Sequence, residues 1–212
     1  MSKPVLHLHP PKTAGSSIIT AVKHNFSTQL QAAFSQGITL HVIPGQQGTN
    51  ATDYMSLSVR NPYQRFTSIR RFYPLHLLTA DATSMCTFFY QNMRRAKCIR
   101  PMLDFNDQAD RLQFILWAGQ ADWYQLAKGD VAIIRFESLQ QDVEAVYGVQ
   151  EGLPRKQQLD IEYNSTAWTN AFPDQRRLNQ FNDLMLADFE LFNYQIVEHI
   201  DDLYHQFMPD SE

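Results

Sequence analysis

Two short stretches of the chain carry residue types and spacings suited to holding phosphate. In the first, Pro11-Lys12-Thr13-Ala14-Gly15-Ser16-Ser17 follows a strand-like run and leads into Ile18, Val22 and Phe26 at helical spacing. Backbone N–H groups, hydroxyls and one ammonium can there converge on an anion at the positive end of a helix. Lys12 precedes Gly15, which is not the order of the G-x-x-x-x-G-K-[ST] loop. With no evident magnesium carboxylate either, an ordinary kinase or GTPase is disfavoured. In the second stretch Arg60 leaves a strand end and Ser68 lies eight residues on, about two helical turns along, so a guanidinium and a hydroxyl can meet on a second phosphate if the loop folds back. Each stretch also has a plainer reading. The first would serve as a loop that turns the chain and caps a helix, the second as a solvated arginine near a helix serine.

Regular elements must position these residues. Alternation over 5–9, closed by Pro10 and Pro11, predicts a strand, and further strands are predicted over 38–43, closed by Pro44 and Gly45, and over 54–59, closed by Asn61 and Pro62. Tyr63, Phe66 and Ile69 have helical spacing behind a proline that suits a first turn. A helical pattern covers about 82–119, with Leu112, Ile115 and Leu116 on one face and Gly119 as its stop. The apolar run over 131–136, broken only by Arg135, predicts a buried parallel strand, and Ser138 with Gln141 forms a capping-box pattern for the next helix. Residues 151–173 lack periodicity and read as a long functional loop. Phe189, Phe192, Ile196, Ile200, Leu203 and Phe207 recur at helical intervals. Strands alternating with helices predict an α/β fold: one domain over 1–212, with a central, mainly parallel sheet flanked by helices and ligands at the carboxyl ends of the strands.

Composition bounds the ligand. With 44% hydrophobic and 19% charged residues in 212, the chain can bury a real core and is neither disordered nor fibrous. The absence of an apolar stretch of ~20 residues and of a signal layout at the start predicts a soluble, cytoplasmic protein without a membrane partner. Cys86 and Cys98 are too few for a disulfide framework and lack zinc spacing, so reduced thiols and no metal are expected. The net charge is -4, yet eight basic residues between Arg60 and Arg100 face Asp81 alone, a segment suited to anions. A pI near 5.9 disfavours nucleic acid as the partner and favours a bounded anionic ligand.

Together the two loops resemble those of the sulfotransferases that use 3′-phosphoadenosine 5′-phosphosulfate (PAPS), especially the carbohydrate-sulfotransferase-like branch. In that family H-x-P-K-T-[GA]-G-[TS]-S holds the 5′-phosphosulfate and V-R-[DN]-P-x-x-R-x-x-S the 3′-phosphate. Here they correspond to His9 through Ser17 and Val59 through Ser68. Ile134-Arg135-Phe136-Glu137-Ser138-Leu139 is similar to the family's I-R-[YF]-E-D-L, and Asp188-Phe189-Glu190-Leu191-Phe192-Asn193-Tyr194 to its D-[FY]-x-L-[FY]-x-Y. The matches keep the family's order and run over about 5–195. Ala14 stands for a frequent Gly and Asn61 for a frequent Asp, both sterically mild changes. The anchor of the Golgi members is missing, which points to a soluble, microbial or viral relative and removes any inference that the acceptor is a Golgi glycan.

The resemblance implies a P-loop-like sulfotransferase fold and transfer of a sulfuryl group from PAPS to an acceptor hydroxyl, on a carbohydrate or small metabolite, with 3′-phosphoadenosine 5′-phosphate (PAP) as product and no obligatory metal. It implies that Lys12 neutralises the bridging oxygen, that Thr13, Ala14, Gly15, Ser16 and Ser17 line the 5′-phosphate, that Arg60 and Ser68 hold the 3′-phosphate, and that Arg155 and Lys156 close over the latter. An acceptor hydroxyl needs a base, and His41, near the end of the predicted 38–43 strand, is the candidate, with Asp53, His9 and Glu137 in reserve. A lone strand histidine also fits a core or surface role. Arg70, Arg71, Arg94, Arg95, Lys97 and Arg100 either line an anionic acceptor site or form a solvated face. Trp117, Trp123 and Trp168 suit the core better than sugar stacking. The alternative function is a non-catalytic nucleotide-binding or scaffold protein that retains the fold.

Overall fold

The computed structural model describes residues 6–15, 17–18, 54–72, 82–99, 114, 117–127, 129–148, 168–169 and 171–207. Among them β1 (Leu6–Leu8), β2 (Met55–Val59) and β3 (Val131–Arg135) form one sheet in the order β1-β2-β3. Both pairings are parallel: Leu6 faces Met55 and Leu8 faces Leu57, while Met55 faces Val131 and Val59 faces Arg135. The expected α/β class with a parallel sheet is therefore present. The expected 38–43 strand, the helical positions Val22, Phe26, Leu112, Ile115 and Leu116, and residues 151–167 lie outside the described residues.

The chain divides into two compact units, the first comprising Met1–Arg60 with Gln120–Gln157 and the second Asn61–Gly119 with Gln158–Glu212. In the first unit all five residues of β2 are buried, as suits a parallel strand with neighbours on both sides. Its side chains alternate, with Met55, Leu57 and Val59 on one face and Ser56 and Ser58 on the other. The serines are tolerated there because each is paired. Ser56 Oγ lies 2.8 Å from His7 Nδ1 and 2.5 Å from the Tyr147 hydroxyl. β3 differs from expectation: only Ile134 is fully buried and its other residues are half-buried, for among the described residues β3 is paired on one side only.

Two helices complete the description of this unit, a short one at Gln120–Tyr124 and a longer one at Leu139–Tyr147. The Ser138/Gln141 capping box does not form. Asp142 does the work instead, its Oδ2 accepting from Ser138 Oγ at 2.9 Å and from Arg135 N at 2.7 Å, so a carboxylate in the first turn ties the helix to the end of β3. Gly148 ends this helix at φ 70°, the left-handed conformation that glycine adopts without penalty.

Among the described residues the helices are, in chain order, α1 (Pro62–Phe72), α2 (Ala82–Ile99), α3 (Gln120–Tyr124), α4 (Leu139–Tyr147), α5 (Gln175–Phe192) and α6 (Ile200–Phe207). α1, α2, α5 and α6 belong to the second unit. Pro62 opens α1 as expected, and Asn61 caps it, Tyr63 N donating to Asn61 Oδ1 at 3.0 Å. The core of this unit is aromatic: Phe66 lies 4.9 Å from Phe181 and 5.4 Å from Phe172, and Tyr63 5.0 Å from Phe189, between ring centroids. The helix expected to reach Gly119 is α2, ending at Ile99, while Phe114 and Trp117 are helical and Gly119 follows them outside the helix.

The C-terminal periodicity is two helices and not one. Asn193 takes φ 53° and closes α5, after which a stretch without regular structure carries Val197 between Tyr63 and Asn182. Val197 N donates to the Tyr63 hydroxyl at 2.9 Å, and Asn182 Nδ2 to Val197 O at 2.9 Å. Burial pushes the Tyr63 phenol up to about 12. The end of the expected 151–173 loop is instead a helical turn, Phe172 N donating to Trp168 O at 2.8 Å. Trp117, Trp123 and Trp168 are all buried, the core role expected of them. No described helix is long and apolar enough to cross a membrane.

His7 yields a pH signature. Burial lowers its pKa from 6.5 to about 3, so the folded protein holds it neutral while the unfolded chain takes up the proton between those values. Stability is then full above the unfolded pKa and falls as the pH drops through that window, by about 1.4 kcal/mol per pH unit for this proton. His7→Asn keeps an amide for Ser56 but does not titrate there. Urea melts between about pH 5 and pH 7 should show the wild type losing stability more steeply than the variant, and identical slopes would contradict the assignment.

Candidate functional site

Parallel pairing of Leu8 with Leu57 sends β1 and β2 off the sheet at the same edge. The 9–15 loop and Arg60 therefore start side by side, both within the first unit. This edge is the carboxyl end of the strands, where open α/β sheets bind ligands.

The loop is held in an uncommon shape. Lys12 and Ala14 have φ of 70° and 69°, a left-handed conformation that costs a non-glycine residue roughly 1–2 kcal/mol. Such strain survives only where the surroundings impose it, and it concentrates at ligand clamps. Thr13, between the two, is fully buried. Its hydroxyl donates to Pro10 O at 2.7 Å and lies 2.7 Å from Ser58 Oγ, so the loop is pinned to β2. The hydroxyl of Thr13 thus ties the loop to its own backbone and to β2. Ala14 O accepts from Ser17 N at 2.9 Å and from Ile18 N at 3.1 Å, which opens a helical turn at Gly15.

Gly15 is needed for space. A Cβ there would overlap the ring of His9, which is buried and stacked on His7 at 6.1 Å and 22°. His9 accordingly shapes the loop from below. Lys12 and Ser17 are half-buried.

Arg60 is only 5% exposed. Its N–H donates to Gln120 Oε1 at 2.6 Å and its carbonyl accepts from Gln120 Nε2 at 2.9 Å. Its guanidinium sits 4.0 Å from the centroid of the Phe136 ring, a cation–π distance. Phe136 is fixed in turn by its N–H, which donates to Val59 O at 2.8 Å.

The edge thus gathers Lys12, Thr13, Ala14, Gly15, Ser17 and Arg60. Ser68 lies half-buried on α1, in the second unit. Ser16, His41, Asp53, Arg155 and Lys156 lie outside the described residues, and Glu137 is exposed. The basic segment from Arg60 to Arg100 is not one charged face. Arg65 is buried and donates to Ala118 O at 3.0 Å, and Lys97 Nζ donates to Leu184 O. Arg94 and Arg95 are exposed; the side chains of Arg70 and Arg71, and all of Arg100, fall outside the description. Among the described residues no cluster of His, Cys, Asp or Glu could hold a metal ion.

Residue spacing did not reveal Ser58, Gln120 or Phe136. Ser56 and Ser58 did leave a signal, polar residues at every second position of a strand buried on both faces. Gln120 left none, since a glutamine at the start of a short helix is unremarkable until its partner is known. Comparison with family models, curated proteins and solved structures finds no match for the chain.

Packing of Gly15 on His9 is testable. Gly15→Ala should destabilise the fold by about 1–3 kcal/mol through overpacking, and most of that loss should vanish when His9 is also replaced by Ala. Denaturant melts of the double-mutant cycle read this directly. A cost for Gly15→Ala that is the same with and without the imidazole would contradict it.

Proposed function

We propose that the chain is a sulfotransferase of P-loop-like fold that moves a sulfuryl group from PAPS to the hydroxyl of an acceptor, a carbohydrate or small metabolite. The observation that carries this reading is the departure of the Lys12 loop and Arg60 from adjacent parallel strands at one sheet edge. A donor bearing phosphates at the 5′ and 3′ positions needs two anion sites a nucleoside apart, and the two motifs that resemble those sites begin there.

Transfer requires the acceptor oxygen to bond to sulfur as the bond between sulfur and the bridging oxygen breaks, leaving negative charge on the 5′-phosphate of PAP. Lys12 carries the cation that meets this charge, with the N–H groups of Thr13, Ala14 and Gly15 beside it. The acceptor proton passes to a base, for which His41 is proposed. Arg60 binds the 3′-phosphate, and Arg155 and Lys156 close over it. Ala14 fits the cradle in spite of its left-handed φ because Thr13 pins the loop on one side and the helical turn holds it on the other.

Calorimetry with PAP and transfer of labelled sulfate from PAPS to an acceptor panel test the proposal. Arg60→Ala should weaken PAP binding by about tenfold or more, the value of a charge-assisted phosphate contact. Lys12→Ala should lower turnover by about 10²–10³, more than it weakens PAP binding. Failure of the wild type to bind PAP would refute the proposal, and PAP binding with no transfer to any acceptor would favour the non-catalytic reading. An unchanged turnover in Lys12→Ala would remove that residue from the chemistry.

A further inference from the structure

We infer that Gln120 and Phe136 are positioning residues that aim Arg60 at the 3′-phosphate, an inference that rests on the donor reading above. β2 ends at Val59, so Arg60 is the first residue beyond the ladder and its backbone would be free to turn. Gln120 prevents this. A primary amide carries the same donor and acceptor as a peptide group, and that of Gln120 takes both the N–H and the carbonyl of Arg60, at 2.6 and 2.9 Å. It acts there as one residue of a neighbouring strand. Gln120 is fully buried at the start of α3, which packs on β2, so the bracket is shielded from water.

With the backbone of Arg60 fixed, its side chain is steered by Phe136. The ring lies one step along the ladder from Val59 and meets the guanidinium at 4.0 Å. Arginine is suited to this because its planar cation rests on an aromatic face and offers N–H groups from its rim to phosphate. Both contacts fall on one residue, one on its main chain and one on its charge. Neither is needed to form the sheet pairs between β2 and β3.

A purely architectural role would affect every ligand alike, whereas a positioning role affects only ligands with a 3′-phosphate. The test compares PAP with adenosine 5′-monophosphate, which lacks that group, by calorimetry on the full chain. Gln120→Met and Phe136→Leu should each weaken PAP binding by about five- to tenfold and leave the monophosphate unchanged. Phe136→Tyr, which keeps the ring face, should retain wild-type affinity. In an Arg60→Ala background neither substitution should weaken PAP further. Equal losses for both nucleotides, or losses that add fully to that of Arg60→Ala, would overturn the inference. Should Gln120→Met fail to fold, the Phe136→Leu and Phe136→Tyr pair decides alone. A wild type that binds PAP, with variants that bind it equally well, overturns the positioning role but not the donor reading. A wild type that ignores PAP overturns both.

Discussion

Parallel pairing of β1 with β2 is the constraint on which the proposed site depends. Two strands running the same way deliver their following residues to the same edge, and the crossover between them spans the residues from His9 to Tyr54. An antiparallel pair would have sent the Lys12 loop and Arg60 to opposite ends. The pairing is reinforced by side chains as well as by the backbone ladder. Ser56 meets His7 within the register, and Ser58 meets Thr13 beyond it. A buried hydroxyl without a partner costs roughly 1–3 kcal/mol, so the two serines favour the one register in which both are satisfied.

The same economy recurs wherever the chain leaves regular structure. Gln120 supplies the missing ladder partner of Arg60. In the second unit Tyr63 and Asn182 do the same for Val197, and the side chain of Gln175 accepts from Ile200 N and donates to Glu198 O. Backbone groups outside a ladder still need partners, and here amides and phenols supply them where no strand is present. Such brackets give irregular segments the hydrogen-bond partners that a sheet would supply. They let a residue like Arg60 be both outside the ladder and well fixed.

Much of this was legible beforehand, and the failures have physical causes. The strands ending at Leu8 and Val59, the helix opened by Pro62 and the strand through Ile134 were visible because periodicity and proline report local constraints. The C-terminal break was not, because Asn193 in a left-handed conformation interrupts the chain without disturbing the apolar spacing on either side. The capping box failed because Asp142 outcompetes Gln141, a matter of which side chain reaches the β3 end. At the edge itself the loop residues and Arg60 were singled out by type and spacing, and the parallel pairing starts both from one edge. The pinning of the loop by the Thr13 hydroxyl left no such signal, since its bond to Pro10 O appears only in the folded loop. Gln120 is the clearest case: it lies 60 residues from Arg60 in sequence, and no local pattern encodes that meeting. The positive charge between Arg60 and Arg100 likewise overstated the anion-facing surface, because arginine and lysine also reach inward to carbonyls, as Arg65 and Lys97 do.

On the proposed function, the sheet edge that combines a strained cationic loop with a bracketed arginine holds a small ligand bearing two separated phosphates. A crystal structure with PAP bound tests this most directly. The account predicts the 5′-phosphate against Lys12 and the backbone of the loop that ends at Ser17, with the 3′-phosphate on the Arg60 guanidinium while that group still rests on Phe136. PAP bound away from this edge, or with its 3′-phosphate out of reach of Arg60, would contradict it.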